Sequence, residues 1–551
     1  NNVERGENAV THYLSVEGLF KLEVTHGEPF WEAIKAKQDY LTLLEKEEAL
    51  AIHVGENILP LQAPVLSDGA LRLVRRGSVL GQRIAERSSM FVVGMAAYRL
   101  FGKKYMEVKY SYGSGIFCSM DEPLKDEEIK ALKQEVQKLI EEDIPIKWSV
   151  VNVGAEIPSS MFVRGVKSLT KYRNVKHQLF YSEDYGEVSW LPLLPSTGMV
   201  KGINLINYAP GFVVVPEDRQ FEEIPKLFQA FFEYDQWLKV LGISDVGDIN
   251  ALTQGREITE LIKVAEALHE KRVSYIADEI KKKEAKLILV AGPSSSGKTS
   301  FSHRLAVQLR VNGLRPINMG TDDYFLPREL TPRDEAGNYD FDSLEAVDLE
   351  TLVQDINQLL NGEEIEVKKY DFVRGARITQ EKKLKLPENG VLILEGIHAL
   401  NPRTTQGVPA HVKYKVYVSA LAHLNLDEVN RTYTTDARLI RRMVRDSFYR
   451  AYLAEETLRQ WPSVRRGEDK YIFPYQQEAD AFFNSALPYE LLVLKPFADP
   501  LLSQIPETVK EYPDAWRLKT LLSYFETCPS AYVPSTSILR EFIGGSAFDV
   551  Y

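Results

Sequence analysis

The side chains best suited to moving a phosphoryl group lie in the second half of the chain. They are a lysine and a hydroxyl in a glycine-rich loop, carboxylates at the ends of apolar runs, and a helix rich in arginine. The loop reads Gly292-Pro293-Ser294-Ser295-Ser296-Gly297-Lys298-Thr299-Ser300 and follows directly on the apolar run Leu287-Ile288-Leu289-Val290. A strand entering Gly-x-x-x-x-Gly-Lys-Thr reads as a phosphate loop. Glycine at 292 and 297 permits backbone angles that let successive amides converge on phosphate oxygens where the next helix begins. In that geometry Gly292, Ser294, Ser295, Ser296, Gly297 and Ser300 cradle a nucleoside triphosphate. Lys298 reaches its β and γ phosphates, and the Thr299 hydroxyl holds Mg2+.

Two further segments end in acids. Asn318 to Phe325 places Asp322 and Asp323 at the carboxyl end of a second expected strand, where open α/β sheets hold their ligands. A hydroxyl attacking a γ-phosphoryl group needs a carboxylate to take its proton, and Asp322 is the candidate base. The run Val391-Leu392-Ile393-Leu394 ends in Glu395, a candidate for Mg2+ or its water. Arg438, Arg441, Arg442 and Arg445 fall at helical spacing, with Arg450 shortly after. Guanidinium suits bidentate phosphate contact, although a solvated helix face would show the same spacing. His398, close to Glu395, reads as a packed loop residue rather than a proton shuttle.

These residues need a parallel sheet to hold them. From Lys286 onward, expected strands at Leu287 to Val290, Pro316 to Met319, Val391 to Leu394 and Val412 to Val418 alternate with helical stretches such as Leu349 to Leu360, giving an α/β fold. Upstream, residues 1–76 read as a small α+β module with strands at Leu19 to Val24, Ala49 to Val54 and Leu71 to Val74 and one helix around Trp31 to Leu44. Residues 77–235 read as a second α+β domain with an amphipathic helix through Ile129, Leu132, Val136, Leu139 and Ile140. Residues 236–285 form a connecting helical segment, residues 286–500 the phosphate-loop domain, and residues 501–551 a C-terminal extension. The 551 residues, 44% of them hydrophobic, suffice for several cores. A net charge of -11 argues against nucleic acid and acidic membrane as partners. Two distant cysteines, Cys118 and Cys528, form no disulfide framework, and the N-terminus has no signal-peptide pattern. A soluble, cytoplasmic protein is expected, with its oligomeric state open.

Taken together, the loop, Thr321-Asp322-Asp323-Tyr324-Phe325, Tyr339-Asp340-Phe341-Asp342, Tyr370-Asp371-Phe372-Val373 with Arg377, Glu395-Gly396-Ile397 and the arginine helix resemble the uridine kinase and phosphoribulokinase family over about Lys286 to Pro500. The resemblance implies ATP- and Mg2+-dependent transfer to a hydroxyl of a small molecule, most simply a nucleoside. Lys298 and Asp322 would be catalytic. Asp342 would hold ribose hydroxyls, and Tyr370 and Phe372 would line the acceptor pocket. Arg442, Arg445 and Arg450 match the family's lid arginines, Arg450 toward the nucleotide. The base-reading histidine of uridine kinases falls on Gly375 here, and Tyr452 stands where a second lid arginine reaches the base. An insertion spans Leu421 to Thr434. Arg374 and Arg377 would suit an acceptor phosphate, so a sugar-phosphate or polyol kinase of phosphoribulokinase type is the alternative, followed by a nucleotide-gated tRNA- or RNA-associated protein.

The N-terminal half resembles the front of threonyl-tRNA synthetase. Val54-Gly55-Glu56 and Asp68-Gly69 look like its TGS domain, and Leu194-Pro195-Ser196-Thr197-Gly198-Met199 like its editing domain. That family's hydrolytic ligand positions carry Arg87, Phe91, Ser189 and Leu193 here, so neither editing nor a metal is expected. Arg87 is expected at the surface.

Overall fold

The computed structural model describes residues 10–104, 106–152, 157–172, 175–335, 337–371, 374–421 and 424–550. The first module is a five-stranded sheet in the order Phe20–Thr25, Thr11–Val16, Gly69–Arg75, Ala49–Val54, Asn57–Pro60. The single helix expected around Trp31 to Leu44 is two helices, Phe30–Lys35 and Gln38–Lys46, divided by an extended Lys37. The break turns Phe30, Ile34 and Leu44 onto the same sheet, where they join Leu14, Leu22 and Leu73 in one core. Tertiary burial has overridden a continuous helical pattern.

The second region carries two four-stranded sheets and the helices Val79–Phe101 and Asp126–Glu142. Val79–Phe101 is buried on most sides, and Gly94 is required within it. A Cβ there would lie 2.2 Å from the Tyr185 hydroxyl and 2.7 Å from an Arg164 nitrogen. The expected surface position of Arg87 is wrong. It is 4% exposed and pairs with Glu187 at 2.6 Å, while Arg164 reaches the other Glu187 oxygen at 3.1 Å. A sequence pattern cannot show that Glu187 waits across the core for both guanidiniums.

The connecting helical segment is also part of the core. The helix α1 (Ile258–Lys283) buries Leu261, Ala265, Val273, Ile276 and Ile280 in an apolar core that runs from Leu50 to Ile543 without interruption. The C-terminal extension joins the same core through Tyr512–Leu522, and its Tyr512 hydroxyl donates to the Glu56 carbonyl of the first module at 2.9 Å.

The parallel sheet has five strands, one more than expected: β1 (Leu287–Ala291), β2 (Arg315–Gly320), β3 (Gly390–Glu395), β4 (Lys413–Ser419) and β5 (Ala481–Asn484), in the order β2-β3-β1-β4-β5. β1 is buried along its whole length and β3 along all but Glu395. That is why both read as unbroken apolar runs. β5 is four residues long and gives too short a signal to stand out. The chain leaves β1 toward β2 and leaves β3 toward β4, so the connections diverge between β1 and β3 and open a crevice at their carboxyl ends. Helix α2 (Lys298–Val311) follows β1 and shares one core with α3 (Thr434–Tyr449), α4 (Ala454–Tyr471) and α5 (Glu490–Ser503), while the helix Leu349–Leu360 packs with Leu287, Leu289, Leu392 and Leu394 in a second core. The hairpin Glu364–Asp371 with Ala376–Lys385 was not anticipated. Its alternation is weak because both strands are largely solvated.

Removing the carboxylate in Glu187→Ala strands two buried guanidiniums. Denaturant unfolding should show a loss of about 3–5 kcal/mol.

Candidate active site

The loop between β1 and α2 is held from its outer side. Arg438 donates to the Ser294 carbonyl at 3.0 Å and Arg441 to the Ser295 carbonyl at 3.4 Å, while the Ser485 hydroxyl donates to the Ser296 carbonyl. Three successive carbonyls turned outward aim the loop's following amides inward, toward the crevice. Gly292 is required because a Cβ there would lie 1.9 Å from the Val418 carbonyl oxygen, and Gly297 has the left-handed φ of +87°.

Lys298 is 9% exposed and donates to the Pro293 carbonyl at 3.3 Å. The Thr299 hydroxyl meets both Glu395 oxygens, at 3.2 and 3.3 Å, where β1 and β3 diverge. Burial pushes the Glu395 carboxyl up to about 7; Lys298 opposes that shift, and Asp322 and Glu541 add to it. Asp322 is exposed at the crevice, and its only neighbouring donor in its own turn is the Thr321 hydroxyl at 3.5 Å. Asp323 is committed elsewhere, 3.4 Å from the Lys369 ammonium and accepting from the Tyr370 amide at 3.4 Å. Asp342 packs against Gly467 of α4, and burial pushes it up to about 6 although Arg442 opposes the shift.

The arginine helix divides its work. Arg438 and Arg441 are fully buried; the first pairs with Glu468 at 2.6 Å and the second with Glu490 at 2.6 Å. Arg442 instead donates to the Ser294 hydroxyl at 2.8 Å. Burial, with Arg445 and Arg450 nearby, lowers the Arg442 guanidinium to about 10. Arg442, Arg445 and Arg450 all face the fully buried Asp446, at 3.4, 2.8 and 3.7 Å. Three guanidiniums thus gather on one carboxylate beside the loop.

The acceptor residues read from sequence are only partly gathered. Tyr370 is buried with its ring edge-on to Phe325, at 5.5 Å between centroids. Arg377 is tied to Asp348 at 2.8 Å, and Arg374 sits at the exposed hairpin tip, 3.6 Å from Asp371. Gly375 has φ +67°, and a Cβ there would lie 2.9 Å from Arg328 Nε, so a side chain at this position would be strained and would push Arg328 aside. Phe372 lies outside the described residues. His398 is 1% exposed, and burial lowers it to about 4. The carboxylates that hold the arginines and the loop escaped the sequence reading. The i, i+4 spacing of Arg442, Asp446 and Arg450 was legible in principle, whereas Glu468 and Glu541 come from distant segments and give no local signal.

Residues 287–490 match the model of the phosphoribulokinase/uridine kinase family. The C-terminal part of the chain is a domain of that family. It is accordingly of small-molecule kinase type. Uridine kinase from Macrococcus caseolyticus is 29% identical over 195 residues, which cover 35% of this chain and 85% of that protein. Uridine kinase from Staphylococcus aureus is 29% identical over 201 residues, covering 36% of this chain and 86% of that protein. Among solved structures, a putative fructose transport system kinase from Silicibacter sp. aligns with TM-score 0.28 and 17% identity over 38% of this chain and 98% of that one. A possible uridine kinase from Bacillus stearothermophilus aligns with TM-score 0.27 and 16% identity over 39% and 98%. The family domain therefore occupies little more than a third of the chain.

Asp342 gives a pH test. Its carboxyl keeps its proton in the folded chain up to about 6, while the unfolded chain releases it near 3.8. Between those values the folded state binds more protons, so rising pH lowers stability. Between pH 4 and pH 7, denaturant unfolding should show the native chain losing up to about 3 kcal/mol more than Asp342→Asn.

Proposed function

We propose that the chain transfers the γ-phosphoryl group of ATP to a hydroxyl of an uncharged small molecule of the nucleoside or polyol class. The observation that carries this reading is the meeting of Thr299 with Glu395 where the strands diverge, with Asp322 exposed beside them. The hard oxygen donors of Thr299 and Glu395 suit Mg2+, which would neutralise charge on the β and γ phosphates. Lys298 adds a cation at the loop. Asp322 takes the acceptor's proton as the acceptor oxygen bonds to the γ-phosphorus. The bond from that phosphorus to the β–γ bridging oxygen breaks, and ADP leaves. Arg442, Arg445 and Arg450 disperse the charge that develops on the transferring group.

Asp342, half-buried and electrostatically linked to Asp322, would accept from an acceptor hydroxyl. The Tyr370 ring supplies an apolar wall. An acceptor phosphate is disfavoured because Arg377 is already neutralised by Asp348. A tRNA-binding role finds no support in a chain of net charge -11. We read residues 1–76 and 77–235 as TGS-like and synthetase-editing-like modules acting as a scaffold. Support comes from Phe91 and Leu193, both fully buried, from Ser189 donating to its own turn at Leu191, and from Arg87 closed onto Glu187.

ADP formation should be screened against nucleosides, polyols and sugar phosphates. One uncharged acceptor class should stimulate turnover, and Asp322→Asn should lower that rate by roughly a hundredfold or more without changing thermal stability. An acceptor-stimulated rate equal to that of the native chain would remove Asp322 from this role.

A further inference from the structure

The last residues of the chain fold back onto the start of α2. Ser537 donates to Glu266 of α1 at 2.5 Å, Leu539 and Phe542 are fully buried, and the Arg441 guanidinium lies 5.0 Å from the Phe542 ring centre. Ile538 packs against the loop so closely that a Cβ on Gly297 would lie 2.5 Å from its Cγ2. From this anchorage the short turn Arg540–Ile543 directs Glu541 at the loop. Its Oε2 accepts from the Ser300 amide at 3.0 Å, and the side chain is 4% exposed. Seven residues later the Phe548 ring stacks on His303 with centroids 5.6 Å apart and planes 9° from parallel. Ser300 and His303, three residues apart, share one face of α2.

The Ser300 amide is among the first N–H groups of α2, which have no acceptor within the helix and lie at its positive end. It also belongs to the motif whose amides receive phosphate oxygens. A carboxylate and a phosphate cannot both take this donor, and two anions at that distance repel each other. The tail thus presents a nucleotide's two recognisable parts, an anion on the loop amide and a flat ring stacked one helical turn further on.

We propose that residues 537–549 act as a built-in competitor for the nucleotide, with Glu541 standing in for a phosphate oxygen and Phe548 for the base. The inference rests on the kinase reading given above and adds regulation to it. ATP seats fully only in the fraction of molecules in which Glu541 and Phe548 have left the start of α2, and its apparent dissociation constant rises by the inverse of that fraction. Anything that draws the tail away, such as a partner that binds it, would switch the enzyme on.

The test is calorimetric titration of ATP with Mg2+ into the full chain, its Glu541→Ala variant and its Phe548→Ala variant, each confirmed folded by thermal unfolding. Phe548 is only half-buried, so its variant keeps the test open if loss of Glu541 unfolds the protein. Each variant should bind ATP roughly tenfold more tightly than the native chain. Saturating ATP should also speed amide hydrogen exchange across residues 537–549 of the native chain. Equal ATP affinity in all three proteins with unchanged exchange would overturn the proposal and leave the kinase reading standing. No ATP uptake by any of the three would overturn both.

Discussion

The site depends on one constraint, which is that the phosphate loop is gripped by its carbonyls. Arg438, Arg441 and Ser485 take the oxygens of Ser294, Ser295 and Ser296, and each fixed carbonyl also fixes the amide of the residue after it, those of Ser295, Ser296 and Gly297. The grip is itself held by buried acids. Glu468 binds Arg438 through both oxygens, at 2.6 and 2.9 Å, and accepts from the Ser294 amide at 3.1 Å. Burial raises the Glu468 carboxyl, but Arg438 and Arg465 outweigh that effect and the net shift is downward, so it stays charged. A loop with so few side-chain contacts of its own gets its shape from α3 and α4, and a bound anion meets donors that are already oriented.

α3 therefore carries two populations of arginine that composition cannot separate. Positions 438 and 441 point into the protein and serve as scaffold. Positions 442 and 445, with 450 beyond the helix end, gather on Asp446 and serve charge. The sequence spacing showed that these residues share a helix. Which face meets the loop was decided by Glu468 and Glu490, more than twenty residues further along.

This division sets what was legible in the chain. The phosphate loop, β1, β3 and α2 could be read because their signals are local: an apolar run buried on both faces, then glycines where the backbone needs them. Asp322 and Glu395 could be singled out because they stand at strand ends, which meet at the crevice. The hairpin Glu364–Asp371 with Ala376–Lys385 and β5 were missed because solvated or very short strands lack a period. The packing of α1 into the core was not legible because its apolar face resembles that of any amphipathic helix until its partner is known. Arg87, Glu187 and Glu541 were out of reach, since each has a partner set by the folding of a remote segment.

The segment from Leu424 to Tyr433, just before α3, is stitched into the N-terminal half. Asn425 donates to the Val108 and Lys109 carbonyls at 2.9 Å, Tyr172 donates to the Leu426 carbonyl at 2.7 Å, and Arg431 pairs with Glu86 at 2.9 Å. Asn425 and Val108 are 317 residues apart in the chain. During synthesis the strand bearing Val108 leaves the ribosome long before its partner exists, and must wait with backbone acceptors exposed until most of the polypeptide has followed. Such wide sequence separation slows assembly and lengthens the interval in which aggregation competes. Maturation of the early half is thus tied to completion of the late one.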